Sequence, residues 1–449
     1  MKIVKMRNLY FPLSSGEGLG VRSKPQPNNN LMEKSSYFPN VLFLSTLLLF
    51  TIPQISQAQE LEDTSSSIAT PTGLGNGLNF NLNDGDYQFK ISGLLQPVWQ
   101  HVRPDGSKAE NTFLARRTFL NFSGKALKEK LSFFIQTDFT ANVPLLDAYV
   151  AYHVTERWNV SVGQRRTFTN NREMTWDEDK IQYTERGFLS ANFNQTGREF
   201  GLFVDGKLGK DVVLHPQLAI TSGDGANSFG VSSTDVDMGG VKYGGRLDVY
   251  PLGEFKKGNM GFTADLMHED SPKLLLGSAF SLNRGASSAR GEGHGDFMFY
   301  GSNKQSKLPD YRKFSADILL KYKGFSLLGE FTNASAYNLN GIYLDSSGAI
   351  SSILKPGQIS NFLVLGQGWN VQTGYVTKSG FALDVRFEKL TPEFNKEARS
   401  VLQETQVSTL GLTKYFPDNH MKVQLSLSQL EVKNRPKALQ SELLFQVVF

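Results

Sequence analysis

Basic side chains recur in this sequence at positions where apolar and polar residues alternate. The residues that share this setting are Arg117, Arg165, Arg246, Lys321 and Arg386. A guanidinium can hold a phosphate or a carboxylate through two parallel hydrogen bonds, and rings of such cations suit anion pathways. Acidic residues occur in the same segments, so these bases could instead brace a wall by pairing with carboxylates. The residue types therefore indicate either anion binding or ion-paired bracing along a polar surface.

A second group of charges lies in a long segment without any strand pattern, residues 167–197. Its basic residues are Arg172, Lys180 and Arg186, and its acidic residues are Glu173, Asp177, Glu178, Asp179 and Glu185. Loops of about thirty residues are uncommon in compact domains and are usually functional or disordered. We expect this insert to fold into a channel and to narrow it; the alternative is a solvated external loop. Because acids outnumber bases, its field need not attract phosphate.

The charges are carried by segments of about ten residues in which apolar and polar positions alternate, as transmembrane β-strands require. Sixteen such segments run from residue 87 to the end of the chain, and a total of eighteen stays open. A further strand at 262–266 would make the number odd, which bacterial barrels avoid. The segments are 87–101, 112–125, 131–140, 145–155, 158–166, 198–208, 212–221, 241–251, 273–283, 311–323, 325–334, 366–377, 381–390, 405–416, 421–432 and 439–449.

The end of the chain favours a closed barrel over a soluble sandwich. Leu443, Phe445, Val447 and the terminal Phe449 alternate with other residues in the last segment. A terminal aromatic strand of this kind resembles the signal read by the barrel-assembly machinery. Short turns also alternate with longer polar loops along the chain. We therefore predict an all-β protein: a transmembrane antiparallel β-barrel with an up-and-down meander and long external loops.

The first 86 residues lack this pattern. Residues 32–58 have the order of a secretory signal, with an apolar stretch at 41–52 before Ser56-Gln57-Ala58. We expect residues 1–31 to be a mis-assigned start or disordered, residues 59–86 to be a periplasmic lead-in, and residues 87–449 to form the barrel. A membrane anchor is the alternative for the apolar stretch. Without residues 1–58 the chain has 47 − 6 = 41 basic and 43 − 2 = 41 acidic residues, so its charge does not indicate a nucleic-acid partner.

Other functional classes find little support in the sequence. The chain contains no Cys, so it has no disulfide or thiolate metal site, and its six His residues are scattered. Neither a His-Glu-x-x-His nor a Gly-x-Ser-x-Gly pattern occurs. We expect no enzymatic activity and no cofactor; an outer-membrane barrel hydrolase or adhesin is the alternative from a different class.

Several segments resemble the phosphate-selective porins of the O/P type. They are Ala115-Arg-Arg-Thr-Phe-Leu-Asn-Phe-Ser-Gly-Lys125, Leu131-Ser-Phe-Phe-Ile-Gln-Thr-Asp-Phe139, Arg198-Glu-Phe-Gly201 and Gly245-Arg-Leu-Asp-Val-Tyr-Pro251. The resemblance implies a trimeric, sixteen-stranded porin in the outer membrane of a Gram-negative bacterium, with an inward-folded third loop and an anion path lined by bases. Small hydrophilic solutes, among them phosphate, would diffuse through it; a nonspecific general porin is the alternative within transport.

Overall fold

The computed structural model describes residues 69–70, 75–82, 86–226, 240–292, 295–397, 399–416 and 419–449. The segments expected to be an upstream region (1–31) and a signal peptide (32–58) lie outside the described residues. No helix among the described residues is long and apolar enough to cross a membrane.

Sixteen of the described strands form one closed antiparallel ring in which each strand pairs with its neighbours in the chain. This confirms the predicted barrel and its strand number. The barrel strands are β3 (Tyr87–Pro104), β4 (Glu110–Ala126), β5 (Leu131–Asp138), β6 (Leu145–Thr155), β7 (Trp158–Arg166), β8 (Arg198–Gly206), β10 (Val213–Thr221), β11 (Lys242–Tyr250), β12 (Lys273–Asn283), β13 (Asp310–Tyr322), β14 (Phe325–Tyr337), β15 (Gly366–Val376), β16 (Phe381–Pro392), β17 (Thr405–Tyr415), β18 (Met421–Val432) and β19 (Ala438–Val448).

The remaining elements are short. Strands β1 (Ala69–Thr70) and β2 (Leu78–Leu82) form a small hairpin whose second strand pairs with the start of β3, and β9 (Leu208–Gly209) extends the turn after β8. The helical segments are Arg172–Thr175, Phe188–Phe193 and Pro356–Ile359, with 3₁₀ turns at Lys257–Asn259 and Ile350–Ser352.

The barrel reverses the burial pattern of a soluble protein. In β16, Leu383, Val385 and Phe387 are exposed, whereas the alternate residues Asp384 and Arg386 are buried. Strand residues alternate between the two faces of a sheet, so the apolar face points to lipid and the charged face to the lumen. Placing an Arg or Lys on the lipid face near the bilayer midplane would cost roughly 2–4 kcal/mol, which explains this orientation.

The C-terminal residue takes part in closing the ring. Phe449 and Gly93 of β3 exchange backbone hydrogen bonds of 2.8 and 3.0 Å. A Cβ atom on residue 93 would collide with the Phe449 ring, so only glycine leaves room for this aromatic group. The alternating terminal strand that indicated a barrel in the sequence therefore pairs directly with the first barrel strand.

Two details of the strands differ from simple alternation. Between β3 and β4 the register shifts, because Gln96 pairs with Arg117 while Pro97 pairs with Ala115. Arg116 is the extra residue of this β-bulge, and it points into the lumen together with Arg117. Both adjacent arginines therefore face the lumen, although simple alternation would turn only one of them inward. Residues 262–266 form no strand.

Candidate functional site in the barrel lumen

The insert 167–197 lies inside the barrel and crosses it. Its side chains and backbone form hydrogen bonds with the inner faces of strands on several sides of the ring. The contacts include Arg172 with Asp248 on β11, Asn171 with Glu330 on β14, Gln182 with Asp384 on β16, and Thr184 with Glu442 on β19. Most residues of the insert are buried as a result. Such a segment leaves only part of the lumen cross-section to solutes.

A square of alternating charges fixes the start of the insert to the wall. The Arg172 guanidinium donates to Asp317 over 2.8 Å and to both carboxylate oxygens of Asp248. Arg246 donates to Asp248 over 2.8 Å and to Asp317. All four side chains are almost fully buried. Gly277 of β12 lies against this square, and a Cβ atom there would collide with Arg172, Arg246 and Asp317.

A single carboxylate organises the middle of the insert. Glu178 accepts hydrogen bonds from Arg166 over 2.9 Å and from Arg186 over 3.1 Å, and Arg198 lies 3.7 Å away. Burial by itself would raise the pKa of Glu178, but the surrounding guanidinium charges outweigh this effect and hold its pKa well below the usual range. The Glu178 carboxylate is therefore ionised at neutral pH.

Arg117 and the neighbouring Arg116 are also engaged by carboxylates. Arg117 donates to Glu185 over 2.6 Å and to Gln96 over 3.0 Å. Arg116 donates to Glu442 at 2.5 and 3.0 Å. The pKa of Glu185 would be raised by burial, but the two arginines lower it. This pairing fastens the insert to β4 and β19.

Arg386 lies at the far wall. It forms an ion pair of 3.3 Å with Glu173 of the insert, and its guanidinium stacks 4.3 Å from the centre of the Tyr183 ring. Glu173 also accepts hydrogen bonds from the Gly187 backbone and from Ser190, at 2.7 and 2.6 Å. Arg386 thus neutralises Glu173, and Glu173 anchors the second half of the insert through Gly187 and Ser190.

Lys321 and Lys180 occupy contrasting places. Lys321 is fully buried, and its ammonium donates to the backbone oxygens of Asn259 and Phe262 at 2.9 and 2.6 Å. Lys180 keeps about a third of its side-chain surface exposed and pairs with Asp177, which is 54% exposed. Lys180 and Asp177, together with the partly exposed Thr175 and Asp179, form a solvent-accessible part of the insert.

Arg165 differs from the other predicted bases. No carboxylate of the described residues lies within ion-pair distance of it, and its hydrogen bond is to the Ser161 hydroxyl at 2.7 Å. Its guanidinium is packed among the rings of Tyr149, Phe168 and Phe203, at 4.7, 5.0 and 5.4 Å. Its Nε atom is buried without a hydrogen-bond partner, whereas the residue as a whole is partly exposed. Aromatic faces attract the cation without neutralising it, so donor capacity remains for an anion.

The candidate residues named from the sequence leave out several members of these clusters, chiefly Glu442 and Arg198. Each is a charged residue on the polar face of a predicted strand, so alternation could have placed it in the lumen. Its partner could not be predicted, because Glu442 and Arg116 are 326 residues apart in the chain.

These features define a class of protein. A closed ring of sixteen strands with an apolar exterior, a charged lumen and a loop folded across that lumen is the architecture of an outer-membrane porin, through which small hydrophilic solutes diffuse.

The sequence comparison identifies the family. Residues 98–347, more than half of the chain, match the family described as phosphate-selective porin O and P, and the chain belongs to this family. It is a protein of the Gram-negative outer membrane. Comparison with curated proteins gives no match.

Solved structures support the fold. An anion-selective porin from Comamonas acidovorans is 9% identical, with 81% of this chain and 100% of that chain covered and a TM-score of 0.51. In-vitro folded OmpT, an outer membrane protein of Vibrio cholerae, is 10% identical, with 82% and 99% covered and a TM-score of 0.50. At these identities the likeness shows a shared barrel fold.

Proposed function

We propose that this porin favours anions, with phosphate among its solutes, and that Arg165 is the base that contacts them. The observation that carries the proposal is that the Arg165 charge is not neutralised by a neighbouring carboxylate. Arg165 is partly exposed, packed among aromatic rings, and without a carboxylate partner in the described chain. A guanidinium held in this way offers a phosphate charge-assisted hydrogen bonds.

The other predicted bases have a different task in this proposal. Arg117, Arg246 and Arg386 are buried against carboxylates, and Lys321 is buried against backbone oxygens. Such bases are already neutralised or satisfied, so they hold the insert and the wall in place. Arg172 and Arg186 do the same from within the insert. Lys180, beside Asp177, contributes little net charge to the path.

The test is the ion selectivity of single channels in a planar bilayer. We expect Arg165→Gln to shift the reversal potential in a KCl gradient toward cations, and to weaken block by phosphate. Arg312→Gln is a matched control, because Arg312 also bonds a serine hydroxyl, at 2.8 Å, and lies 5.9 Å from a Tyr ring, but on the exposed outer face. An unchanged reversal potential in Arg165→Gln would contradict the proposal and favour a nonspecific general pore.

We further propose that the chain acts without catalysis, is exported through the signal at 32–58, assembles as a homotrimer, and is recognised by the barrel-assembly machinery through its Phe449 strand. The terminal strand's pairing with β3 supports the last point. Deleting Phe449 removes both hydrogen bonds to Gly93, and we expect less protein in the outer-membrane fraction.

Chemical cross-linking in intact membranes tests the homotrimer. A gel that shows only the monomer after cross-linking would contradict it.

A further inference from the structure

We propose that the periplasmic segment 252–272 is a second inward-folded element, which fills one side of the lumen and confines solutes to the opposite wall. This inference rests on the proposed pore function and adds the position of the path. The segment connects β11 to β12 at the end of the barrel that carries the short turns. Periplasmic connections in such barrels are usually short, so a connection of this length needs a physical explanation.

The segment has a folded structure of its own. Buried Asp265 accepts hydrogen bonds from the Asn259 side chain at 2.6 Å and from the Glu269 backbone at 3.1 Å. Glu269 in turn accepts from the Lys256 backbone at 2.8 Å and from Asn259 at 2.7 Å. Buried carboxylates that are satisfied by local donors hold a connection in one compact shape.

Polar contacts seat this shape inside the barrel mouth. The ammonium of Lys321, on the inner face of β13, donates to the backbone oxygens of Asn259 and Phe262. The turn between β13 and β14 donates back, since the Gly324 backbone bonds Asp265 at 2.7 Å. Without the backbone oxygens of Asn259 and Phe262, the buried Lys321 ammonium would lose its hydrogen-bond acceptors. The segment therefore stabilises the charge that β13 places on the inner wall.

Apolar contacts extend the segment along the inner wall as far as β17. Ala264 packs against Val376, Ala382 and Tyr415, which belong to β15, β16 and β17. Because the segment starts at β11, this contact shows that it covers the mouth from β12 to β17.

The segment also meets the insert that enters from the other end. Trp176 of the insert belongs to one apolar cluster with Phe255, and Met260 packs against that cluster. A Cβ atom on Gly261 would lie 3.5 Å from the Lys180 side chain and 3.9 Å from Trp176. The two inward-folded elements therefore touch inside the barrel and form a continuous obstruction.

Exposure of the inner wall follows this geometry. We call the inward residues at the periplasmic end of β12 to β17 the covered wall; it includes Leu275, Leu319, Lys321, Ser326, Val376, Thr413 and Tyr415, all buried. We call the partly exposed inward residues of β3 to β7 the open wall; they include Ser92, Asn121, Ser123, Ser132, His153 and Asn159 toward the periplasmic end, and Arg165 toward the external end of β7.

External loops reinforce the asymmetry. A large apolar cluster containing Phe299, Ile342 and Leu363 packs against the external ends of the strands from β13 onward, and includes Phe193 of the insert. The side of the lumen that carries the covered wall is thus filled at both ends. A hydrated solute finds hydroxyl, amide and imidazole groups along the open wall, and it meets Arg165 there.

Cysteine accessibility tests the inference, and the chain contains no native Cys to remove. Ser132→Cys lies on the open wall and Ser326→Cys on the covered wall, both originally serine. We expect the negatively charged reagent sulfonatoethyl methanethiosulfonate to modify Ser132→Cys at least ~10-fold faster, because only an accessible thiolate reacts. Modification is followed by mass spectrometry and by a stepwise fall in conductance for Ser132→Cys. Thr413→Cys repeats the covered-wall measurement on β17, in case Ser326→Cys does not fold.

A second background tests the segment directly. Trp176→Ala removes the aromatic part of the contact between the two inward elements, and we expect it to raise both the conductance and the reactivity of Ser326→Cys. Equal reactivity of Ser132→Cys and Ser326→Cys in the otherwise unchanged protein would overturn the inference, and so would an unreactive Ser132→Cys. The result is a ratio of rates for one anionic reagent at two sites of the same pore, so a change in ion selectivity affects both rates alike. A failed Arg165 experiment and a failed accessibility experiment are therefore distinguishable.

Discussion

The open wall and the covered wall are built from the same kind of strand and differ in what lies over them. On both walls, lipid-facing apolar residues alternate with inward-facing residues that are often polar. On the covered wall the inward residues are shielded by 252–272 and by the insert, whose Gln182 contacts Ser326, whereas those of the open wall remain accessible to water. The strands therefore form the lumen, and the connections between them determine which part of the lumen is open to solutes.

The two walls also differ in how they treat charge. Around the insert and toward the covered wall, cations are satisfied at close range, as in the square of Arg172, Arg246, Asp248 and Asp317. Removing ions from water is expensive, and such groups are tolerated only in complete networks. Arg165 on the open wall can keep its charge without a carboxylate partner because water reaches it.

The largest expected effect comes from breaking the ion-pair network around Glu178 of the insert. Glu178→Gln would leave Arg166, Arg186 and Arg198 without their shared carboxylate. Removing one partner of a buried ion pair costs about 3–5 kcal/mol, so we expect the free energy of unfolding in detergent micelles to fall by about that amount. The control is Glu129→Gln, since Glu129 and Lys125 form an exposed pair of 3.0 Å. Such surface pairs contribute little to stability because water and salt screen them, and equal losses in both variants would contradict the network.

Acid should remove the same stabilisation, with a defined sign. Because the pKa of Glu178 is lower in the folded state than in the unfolded chain, its contribution is present above the ordinary carboxyl pKa and is lost as pH falls through the folded value. We expect the stability difference between the original protein and Glu178→Gln to be constant from neutral pH down to about pH 5. It should shrink only below about pH 4.3, the ordinary value for Glu. A difference that shrinks already between pH 7 and pH 5 would contradict this assignment.

The next effect compares neighbouring residues on the two faces of β13. Leu319 is 1% exposed beneath segment 252–272, whereas Ile318 is 42% exposed on the outer face. Truncating a buried leucine costs about 2–5 kcal/mol, so Leu319→Ala should lower the unfolding temperature clearly. Ile318→Ala should lower it less, and the reverse order would show that the covered wall is hydrated.

A smaller effect is expected from making the open wall resemble the filled side. The Ser161 hydroxyl that accepts a hydrogen bond from Arg165 is neutral, and Ser161→Asp would place a carboxylate beside the guanidinium. An ion pair with the partly exposed Arg165 is worth about 0.2–1 kcal/mol, so the anion-to-cation permeability ratio should fall by up to about fivefold. The matched change Ser161→Asn keeps a similar size without the charge and should have little effect. Equal reversal potentials for the two variants would exclude Arg165 as the selective contact.

The smallest effect concerns the solvent-accessible part of the insert. Burial and the neighbouring charge of Asp177 raise the pKa of Asp179, so this acid becomes neutral at a higher pH than an ordinary Asp. Mild acidification should therefore increase the preference for anions slightly. Asp179→Asn should show that preference already at neutral pH and should lose this part of its pH dependence. The reversal potential measured at several pH values would reveal either result.

The sequence by itself determined the barrel. Alternation along each strand has a period of two residues, so it specifies which side chains face lipid, and the terminal aromatic strand indicated the closure that Phe449 and Gly93 make. It also indicated the inward insert through its length and charge. A β-bulge hid the second inward arginine at residue 116, because one extra residue breaks the simple alternation.

Only the tertiary structure decided which charges are free. Pairing in the lumen joins residues hundreds of positions apart, such as Arg116 with Glu442, and no local pattern encodes those distances. The same holds for 252–272, whose place inside the lumen is shown only by contacts such as that of Ala264 with Tyr415 of β17. Local propensities set the faces of the strands, whereas the place of a connection in a lumen depends on contacts that form once the ring has closed.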